Sequence, residues 1–144
     1  MNQQMNWRDG VTVVRAAALE SQIRAPNGTG RATVFDFVGT GGHRTWIGRV
    51  TLKPSACTGA HHHGRREVMV YVINGRSEIR WGDGLRFAAV VGLGDFVYFA
   101  PYVPHQERNL SGDDAVEFLV ARSDNEKIAI ALDMAVVEHP ELVA

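Results

Sequence analysis

Short apolar runs, separated by turn residues at intervals of roughly ten positions, are the feature of this sequence that most limits its possible folds. Runs such as TWIGRVTL (45–52), EVMVYVI (67–73) and DFVYFA (95–100) alternate with a period of two rather than 3.6. Fifteen glycines punctuate the runs. Strands of this length and spacing are typical of an all-β sandwich or barrel.

Turn signals divide the chain into successive strands. Asn74-Gly75 is the strongest hairpin signal, because both central residues of a type I′ turn need positive φ. It predicts that RSEIRW (76–81) pairs with the run before it. Gly82-Asp83-Gly84 predicts the next turn. We expect further strands in the runs at 85–91, 105–110 and 115–123, and one short helix over 15–23, where AAALES favours helix.

Length and composition limit the domain organisation and the partners. A chain of 144 residues fits one domain, and we expect a single domain over 1–144 with a barrel core at about 44–122 and packed terminal segments. With 15 basic and 16 acidic residues, the charge argues against a nucleic-acid partner. Cys57 is the single cysteine, which excludes an internal disulfide and a zinc site built from several cysteines. The first ten residues lack the apolar run of a signal peptide, and no stretch has 18 consecutive apolar residues. We therefore expect a cytoplasmic protein with no membrane partner.

Three consecutive histidines and a glutamate stand at the start of one predicted strand. Residues two apart share a face of a strand, so His61, His63 and Glu67 are predicted to point to the interior. His62 has the opposite parity and points away. A bulge at Gly64 would shift this register. If the strand is regular, the simplest count places three metal-type donors on one apolar face.

Burial of these donors without partners would be costly. An unpaired buried polar group costs roughly 1–3 kcal/mol, and a divalent cation removes this cost because imidazole and carboxylate are its usual ligands. A second donor set lies in HQERN, where His105 follows two prolines and shares its parity with Glu107 and Asn109. On a neighbouring strand, His105 would supply a further ligand. The alternative is that His-x-His is a surface coincidence and that Glu107 and Asn109 bond to adjacent strands.

Two segments of the chain resemble the motifs of the cupin superfamily. HHHGRRE, with His61-x-His63-x3-Glu67 and Gly75 beyond it, resembles the first motif, and GDFVYFAPYVPHQERN (94–109) resembles the second. Two motifs in order, with strands between them, are more specific than either alone. The sequence differs from the family pattern at three turn positions: Ser55, Ala100 and Tyr102.

The resemblance implies a cupin double-stranded β-helix, which is a jelly-roll-like β-barrel, with one metal ion inside it. The implied ligands are His61, His63, Glu67 and His105, and the implied cofactor is one divalent transition metal, which would be Mn, Fe, Ni or Zn. About two of six coordination positions would stay open for a substrate. The implied protein is a metal-dependent enzyme of dioxygenase, isomerase, lyase or cyclase type, which acts on a small oxygen-rich or carbonyl-containing molecule. The alternative is a non-catalytic module that binds or senses a small ligand. No catalytic residue is assigned.

The same parity count predicts the surroundings of this site. We expect a substrate pocket with walls from Trp46, Met69, Tyr71 and Tyr102, although plain core packing is the favoured interpretation for each of the first three taken singly. Glu107 and Asn109 are expected to hydrogen-bond to the metal ligands. The opposite face, with Val68, Val70 and Val72, is also apolar, which predicts that a second copy covers it in a homodimer.

Overall fold

The computed structural model describes residues 7–20, 29–35, 44–124 and 129–143, and it consists mainly of strands. In chain order the strands are β1 (Thr29–Phe35), β2 (Trp46–Leu52), β3 (His61–His62), β4 (Val68–Asn74), β5 (Arg76–Trp81), β6 (Phe87–Gly92), β7 (Phe96–Phe99), β8 (His105–Asn109), β9 (Val116–Arg122), β10 (Ile130–Ala131) and β11 (Glu141–Leu142). The helical elements are α1 (Ala16–Glu20) and two 3₁₀ turns, Trp7–Gly10 and Asp83–Leu85. No helix in these ranges is both long and apolar enough to span a bilayer.

The strands form two sheets. One sheet has the order β1-β2-β9-β4-β7, and the other has the order β10-β3-β8-β5-β6-β11. All pairs are antiparallel except β6 with β11, which is parallel. The all-β prediction is confirmed, and each predicted run contains a strand. The predicted helix is observed over Ala16–Glu20, and residues 21–23 of that prediction lie outside the described residues.

The hairpin predicted at Asn74-Gly75 is wrong. Strand β4 belongs to the five-stranded sheet, where it pairs with β7 and β9, whereas β5 pairs with β6 and β8 in the other sheet. The chain crosses between the sheets at Gly75, which has a φ of 83°. A Cβ atom there would lie 2.8 Å from the carbonyl oxygen of Ala115, so glycine is needed for space as well as for conformation. The turn signal correctly indicated positive φ at Gly75 but not at Asn74, and it could not indicate which strands pair.

The core lies between the two sheets. Its buried side chains come from both sheets and are Leu52, Val68, Val70, Val72, Ile79, Phe99, Val116 and Phe118. Burial of each larger apolar side chain contributes roughly 1.5–3 kcal/mol before the entropic cost of ordering the chain. This core includes the valines of β4 that the sequence had suggested for the outer face.

The predicted facing of β4 is therefore reversed. Val68, Val70 and Val72 are buried, whereas Met69 is 47% exposed. The reason is that the strand is not continuous from His61: β3 ends at His62, β4 begins at Val68, and Gly64 between them adopts a φ of 62°. The alternation of faces along a strand cannot be counted across such a turn. The valines consequently cannot form the outer apolar face on which the dimer prediction depended.

The strands nearest the chain termini pair with the sheets, whereas residues 7–20 contain helical turns and no strand. Strand β10 pairs with β3 beside the histidines, and β11 adds to the edge formed by β6. Strand β1 pairs with β2 along its length, with one register shift between Thr33 and Phe35. The terminal strands thus extend the sheets on both sides of the region that holds the histidines.

Candidate metal centre

Three histidines converge between the sheets because two neighbouring strands present them side by side. His61 in β3 lies directly opposite His105 in β8, and His63 follows the end of β3. The ring centres of His61 and His105 are 4.3 Å apart, and His63 lies 5.1 Å and 5.0 Å from these two rings. One nitrogen from each ring lies within 4.8 Å of the others. The structure thus brings together the three histidines that the sequence singled out.

Backbone carbonyl groups set the tautomers of two of these rings. Nδ1 of His61 lies 2.8 Å from the carbonyl oxygen of Gly59, and Nδ1 of His105 lies 3.0 Å from that of Val103. A carbonyl oxygen only accepts, so each Nδ1 must donate, and in the neutral form of each ring Nε2 carries the lone pair. Nε2 of His105 is buried and has no hydrogen-bond partner among the described residues. A buried histidine nitrogen that has no hydrogen-bond partner fits the role of a metal ligand.

Burial keeps the central ring neutral. Removal from water lowers the pKa of His105, and the nearby carboxylate of Glu107 only partly opposes this effect. Phe99 stacks on the ring with a centroid distance of 4.1 Å, which fixes its plane. Because neutral imidazole is the form that binds metals, this environment favours a metal ligand over a charged histidine.

A carboxylate faces the histidines, and it belongs to Glu107. Its Oε1 lies 3.7 Å from Nε2 of His105, and its Oε2 lies 3.9 Å from Nε2 of His61. The hydroxyl of Thr58 donates to Oε2 at 3.0 Å and so holds the carboxylate in place. Nitrogen lone pairs that face a carboxylate repel it, and the Thr58 hydroxyl supplies a donor to Oε2 alone among the described contacts of the carboxylate. A cation among them relieves this repulsion, and three imidazoles with one carboxylate suit Mn, Fe, Ni or Zn.

Glu67, which the sequence analysis expected as the fourth ligand, lies elsewhere. Its side chain is exposed, and Oε1 accepts a hydrogen bond of 2.7 Å from the hydroxyl of Tyr98. This bond raises the pKa of Tyr98. Both residues lie on the outer face of the five-stranded sheet, as the reversed facing of β4 requires. A signal for Glu107 was present in the sequence, since it shares its parity with His105 on β8.

The remaining polar residues near the cluster have structural partners. His62 turns away as expected, and its Nδ1 accepts a hydrogen bond of 2.9 Å from the backbone N–H of Gly64. The amide of Asn109 donates to three backbone carbonyls, which belong to Leu52, Lys53 and Asp114. Asn109 therefore fastens the end of β8 to the loops beside it, and no bond from it to the histidines is observed among the described residues.

A cavity of about 450 Å³ opens beside the histidines. Such a volume is within the range of small-molecule pockets. Its lining includes His61, His63 and Glu107, the apolar side chains of Trp46, Val50, Leu52, Val68, Val70, Phe118 and Val120, and two arginines, Arg31 and Arg122. The cavity thus combines apolar walls with a donor cluster on one sheet and basic groups on the other.

Only one of the four predicted pocket residues lines this cavity. Trp46 does so, because the inward face of β2 was predicted correctly. Met69 is exposed on the outer face, and Tyr71 packs on Phe96 with a ring distance of 4.8 Å. Tyr102 is 64% exposed, has a φ of 63° and lies 5.9 Å from the ring of His62. Arg31 and Arg122 were not predicted from the sequence, although Arg122 shares its parity with the apolar inner face of β9.

Two facing sheets, with a histidine cluster in a cavity between them, define an all-β protein with a candidate metal centre. A family model described as the cupin domain matches residues 48–122, which is more than half of the chain. The chain belongs to the cupin family. No curated protein matches it.

Solved structures of similar fold include two kinds of enzyme named for oxalate. Oxalate decarboxylase from Bacillus subtilis at pH 4.6 aligns with a TM-score of 0.66 and 25% identity over 76% of this chain and 29% of that chain. An oxalate oxidase aligns with a TM-score of 0.63 and 18% identity over 78% of this chain and 63% of the other. Recombinant oxalate oxidase in complex with glycolate aligns with a TM-score of 0.62 and 19% identity, over 74% of this chain and 56% of the other. The chain spans about three-tenths of the length of the decarboxylase structures.

Proposed function

We propose that this protein is a metal-dependent cupin enzyme that binds a small, oxygen-rich or carbonyl-containing molecule at a metal held by His61, His63 and His105. Glu107 is the carboxylate that faces this metal in our proposal. The observation that carries the proposal is the convergence of Nε2 of His61 and of His105 on the carboxylate of Glu107, at 3.9 Å and 3.7 Å, together with the burial of Nε2 of His105, which has no hydrogen-bond partner among the described residues.

The chain's own residues prepare the site for such a reaction. A bound divalent metal would act as a Lewis acid for a chelated substrate or would activate dioxygen. Backbone carbonyls orient His61 and His105, and Thr58 orients Glu107. The apolar walls limit access of water, which strengthens electrostatic interactions in the cavity. An arrangement of three imidazoles beside an open cavity differs from a closed tetrahedral structural site.

The names of the structural neighbours support a small acidic substrate. Oxalate and glycolate, which those names mention, are small acids whose neighbouring oxygen atoms can chelate a single ion. We propose the same manner of binding here, but not the same substrate, because the shared identity is 18–25% and the chain covers only part of each neighbour.

The reaction type can be tested by metal reconstitution under nitrogen. The chain is loaded under nitrogen with Mn(II), Fe(II), Ni(II) or Zn(II). Each sample is then screened against small keto acids, enediols and diketones with oxygen consumption as the readout. We expect turnover in the wild type and none in His105→Ala. Oxygen uptake with Fe(II) alone would assign a dioxygenase, whereas turnover without oxygen under several metals would assign an isomerase, lyase or cyclase. Tight retention of a ligand with no turnover under any metal would contradict the enzyme proposal and favour the binding module.

We also propose that the protein is a cytoplasmic homodimer. Support for the dimer comes from the outer face of the five-stranded sheet, where Met69, Phe96 and Tyr98 are 47%, 79% and 57% exposed. They flank the open edge formed by β7, and an exposed apolar edge strand is a surface that proteins usually cover. Light scattering at micromolar concentration is expected to give twice the mass of one chain. Phe96→Glu is expected to give the mass of one chain, and a monomeric wild type would contradict the dimer.

A further inference from the structure

A buried arginine that forms no ion pair within 4 Å among the described residues lies in the wall of the cavity. Arg122 is 2% exposed, and its Nε and Nη2 atoms have no hydrogen-bond partner among the described residues. The carboxylate of Asp124 is engaged by Nε of Arg66 at 2.6 Å. Burial and the positive charge of Arg31 lower the pKa of Arg122 to about 10, although the charge of Asp124 opposes this shift, so Arg122 stays protonated at neutral pH. A buried guanidinium normally has an anionic partner, since an unpaired buried charge is costly.

The surroundings of Arg122 concentrate positive charge at one part of the cavity. Its guanidinium lies 4.0 Å from the centre of the Trp46 ring, and that of the more exposed Arg31 lies 5.8 Å from the same ring. The indole N–H of Trp46 is also buried with no partner among the described residues. Two cations and a free N–H donor around one ring form a site for an anion, and a planar guanidinium suits a carboxylate particularly well.

The placement of this basic site relative to the histidines indicates the shape of the ligand. Arg122 is on β9 in the five-stranded sheet, whereas His61 and Glu107 are on β3 and β8 in the facing sheet. All three line the same cavity, and apolar side chains such as Val68 and Phe118 form its walls. A ligand between the sheets would therefore meet the donor cluster on one side and the guanidinium on the other.

We propose that the ligand of this cavity is a small organic acid that carries a carboxylate bound by Arg122, in addition to the oxygen atoms that it presents to the metal. Its body is apolar, and Arg31 adds a second positive charge at the rim. This inference rests on the proposed function for the metal end of the ligand, and it adds the substrate class.

A matched pair of catechols tests the assignment of Arg122. The full chain is loaded with Zn(II), and binding of 3,4-dihydroxybenzoate and of 4-methylcatechol is measured by calorimetry. Both probes present the same two oxygens to the metal, and they differ in having a carboxylate or a methyl group at the distant position. The readout is the ratio of their Kd values, because the carboxylate also changes the acidity of the hydroxyls.

We define the ratio as the Kd of 4-methylcatechol divided by the Kd of 3,4-dihydroxybenzoate. Arg122→Gln is expected to lower this ratio roughly 10-fold or more, because the acid loses a charge-assisted hydrogen bond of about that strength. Binding of 4-methylcatechol should be unchanged. Arg122→Lys keeps the charge but loses the planar fork, so its ratio should lie between those of wild type and Gln. Arg49→Gln is the matched control, because Arg49 lies on the neighbouring strand and pairs with Glu117 at 2.6 Å, outside the cavity lining.

Two results would overturn the inference. One is the same ratio in wild type, Arg122→Lys and Arg122→Gln, and the other is failure of both probes to bind a wild-type chain that holds zinc. The zinc content of each sample separates this failure from failure of the proposed function. A chain that retains one zinc ion but does not distinguish the probes contradicts only the role of Arg122, whereas a wild type that retains no zinc contradicts the metal site itself.

Discussion

Replacement of His61, His63 or His105 by alanine is expected to remove most of the metal from the protein. Each ring supplies one nitrogen to a cluster whose donor atoms lie within 4.8 Å of one another. Removal of one ring leaves only two imidazole ligands for the metal. Loss of a residue that only supports a metal ligand costs about 10- to 100-fold in affinity, so loss of a ligand should cost at least that much. The measurement is the metal content of each variant after loading with one equivalent and gel filtration.

His62→Ala is the matched control for these three variants. His62 is adjacent in sequence to two of the cluster histidines, but its ring bonds to the backbone N–H of Gly64 and does not belong to the cluster. We expect this variant to keep its full metal content. Equal loss of metal from His62→Ala and His61→Ala would mean that the consecutive histidines bind metal without a defined geometry, as a tag does.

Glu107→Gln is expected to weaken metal binding by about 10- to 100-fold, whereas Glu67→Gln is expected to leave it unchanged. The carboxylate of Glu107 lies within 3.7–3.9 Å of two imidazole nitrogens, and the amide of glutamine removes its negative charge at nearly the same volume. The carboxylate of Glu67 bonds to Tyr98 on the outer face. Competition with a chelator of known affinity gives the metal Kd of each variant.

The pair of glutamate variants also tests the register of β4. If Glu67→Gln releases the metal and Glu107→Gln does not, then β4 faces the other way and the parity count from His61 is correct. The structure excludes this arrangement because Val68, Val70 and Val72 are 3%, 6% and 0% exposed, and inversion of β4 would move all three from the core to the outer face.

The strands were predictable from the sequence, but their partners were not. Period-two alternation and turn residues located β2, β4 and β9 because both signals are local. Asn74-Gly75 was misread for a physical reason: positive φ at Gly75 serves a crossing between sheets as well as it serves a hairpin. The facing of β4 was misread because the turn between His63 and Glu67 interrupts the count, and no local signal says how many residues such a turn consumes.

The candidate site was predictable where its residues are close in sequence or typical of metals. Spacing alone left a surface coincidence open, and the resemblance of two segments to the cupin motifs predicted that His61, His63 and His105 lie together, as observed. Arg122 was not singled out, because one basic residue at the end of an apolar strand usually reaches solvent. Its significance depends on its burial and on the pairing of β9 with β2, which places Arg122 opposite Trp46, and both are tertiary properties.

The most direct test of the central claim is anomalous scattering from a crystal of the zinc-loaded protein, measured on both sides of the zinc absorption edge. We expect one strong peak about 2.1 Å from Nε2 of His61 and of His105 and from a ring nitrogen of His63, with the carboxylate of Glu107 facing it. A peak at any other place on the chain, or no peak in crystals grown with excess zinc, would contradict a metal centre in this cavity.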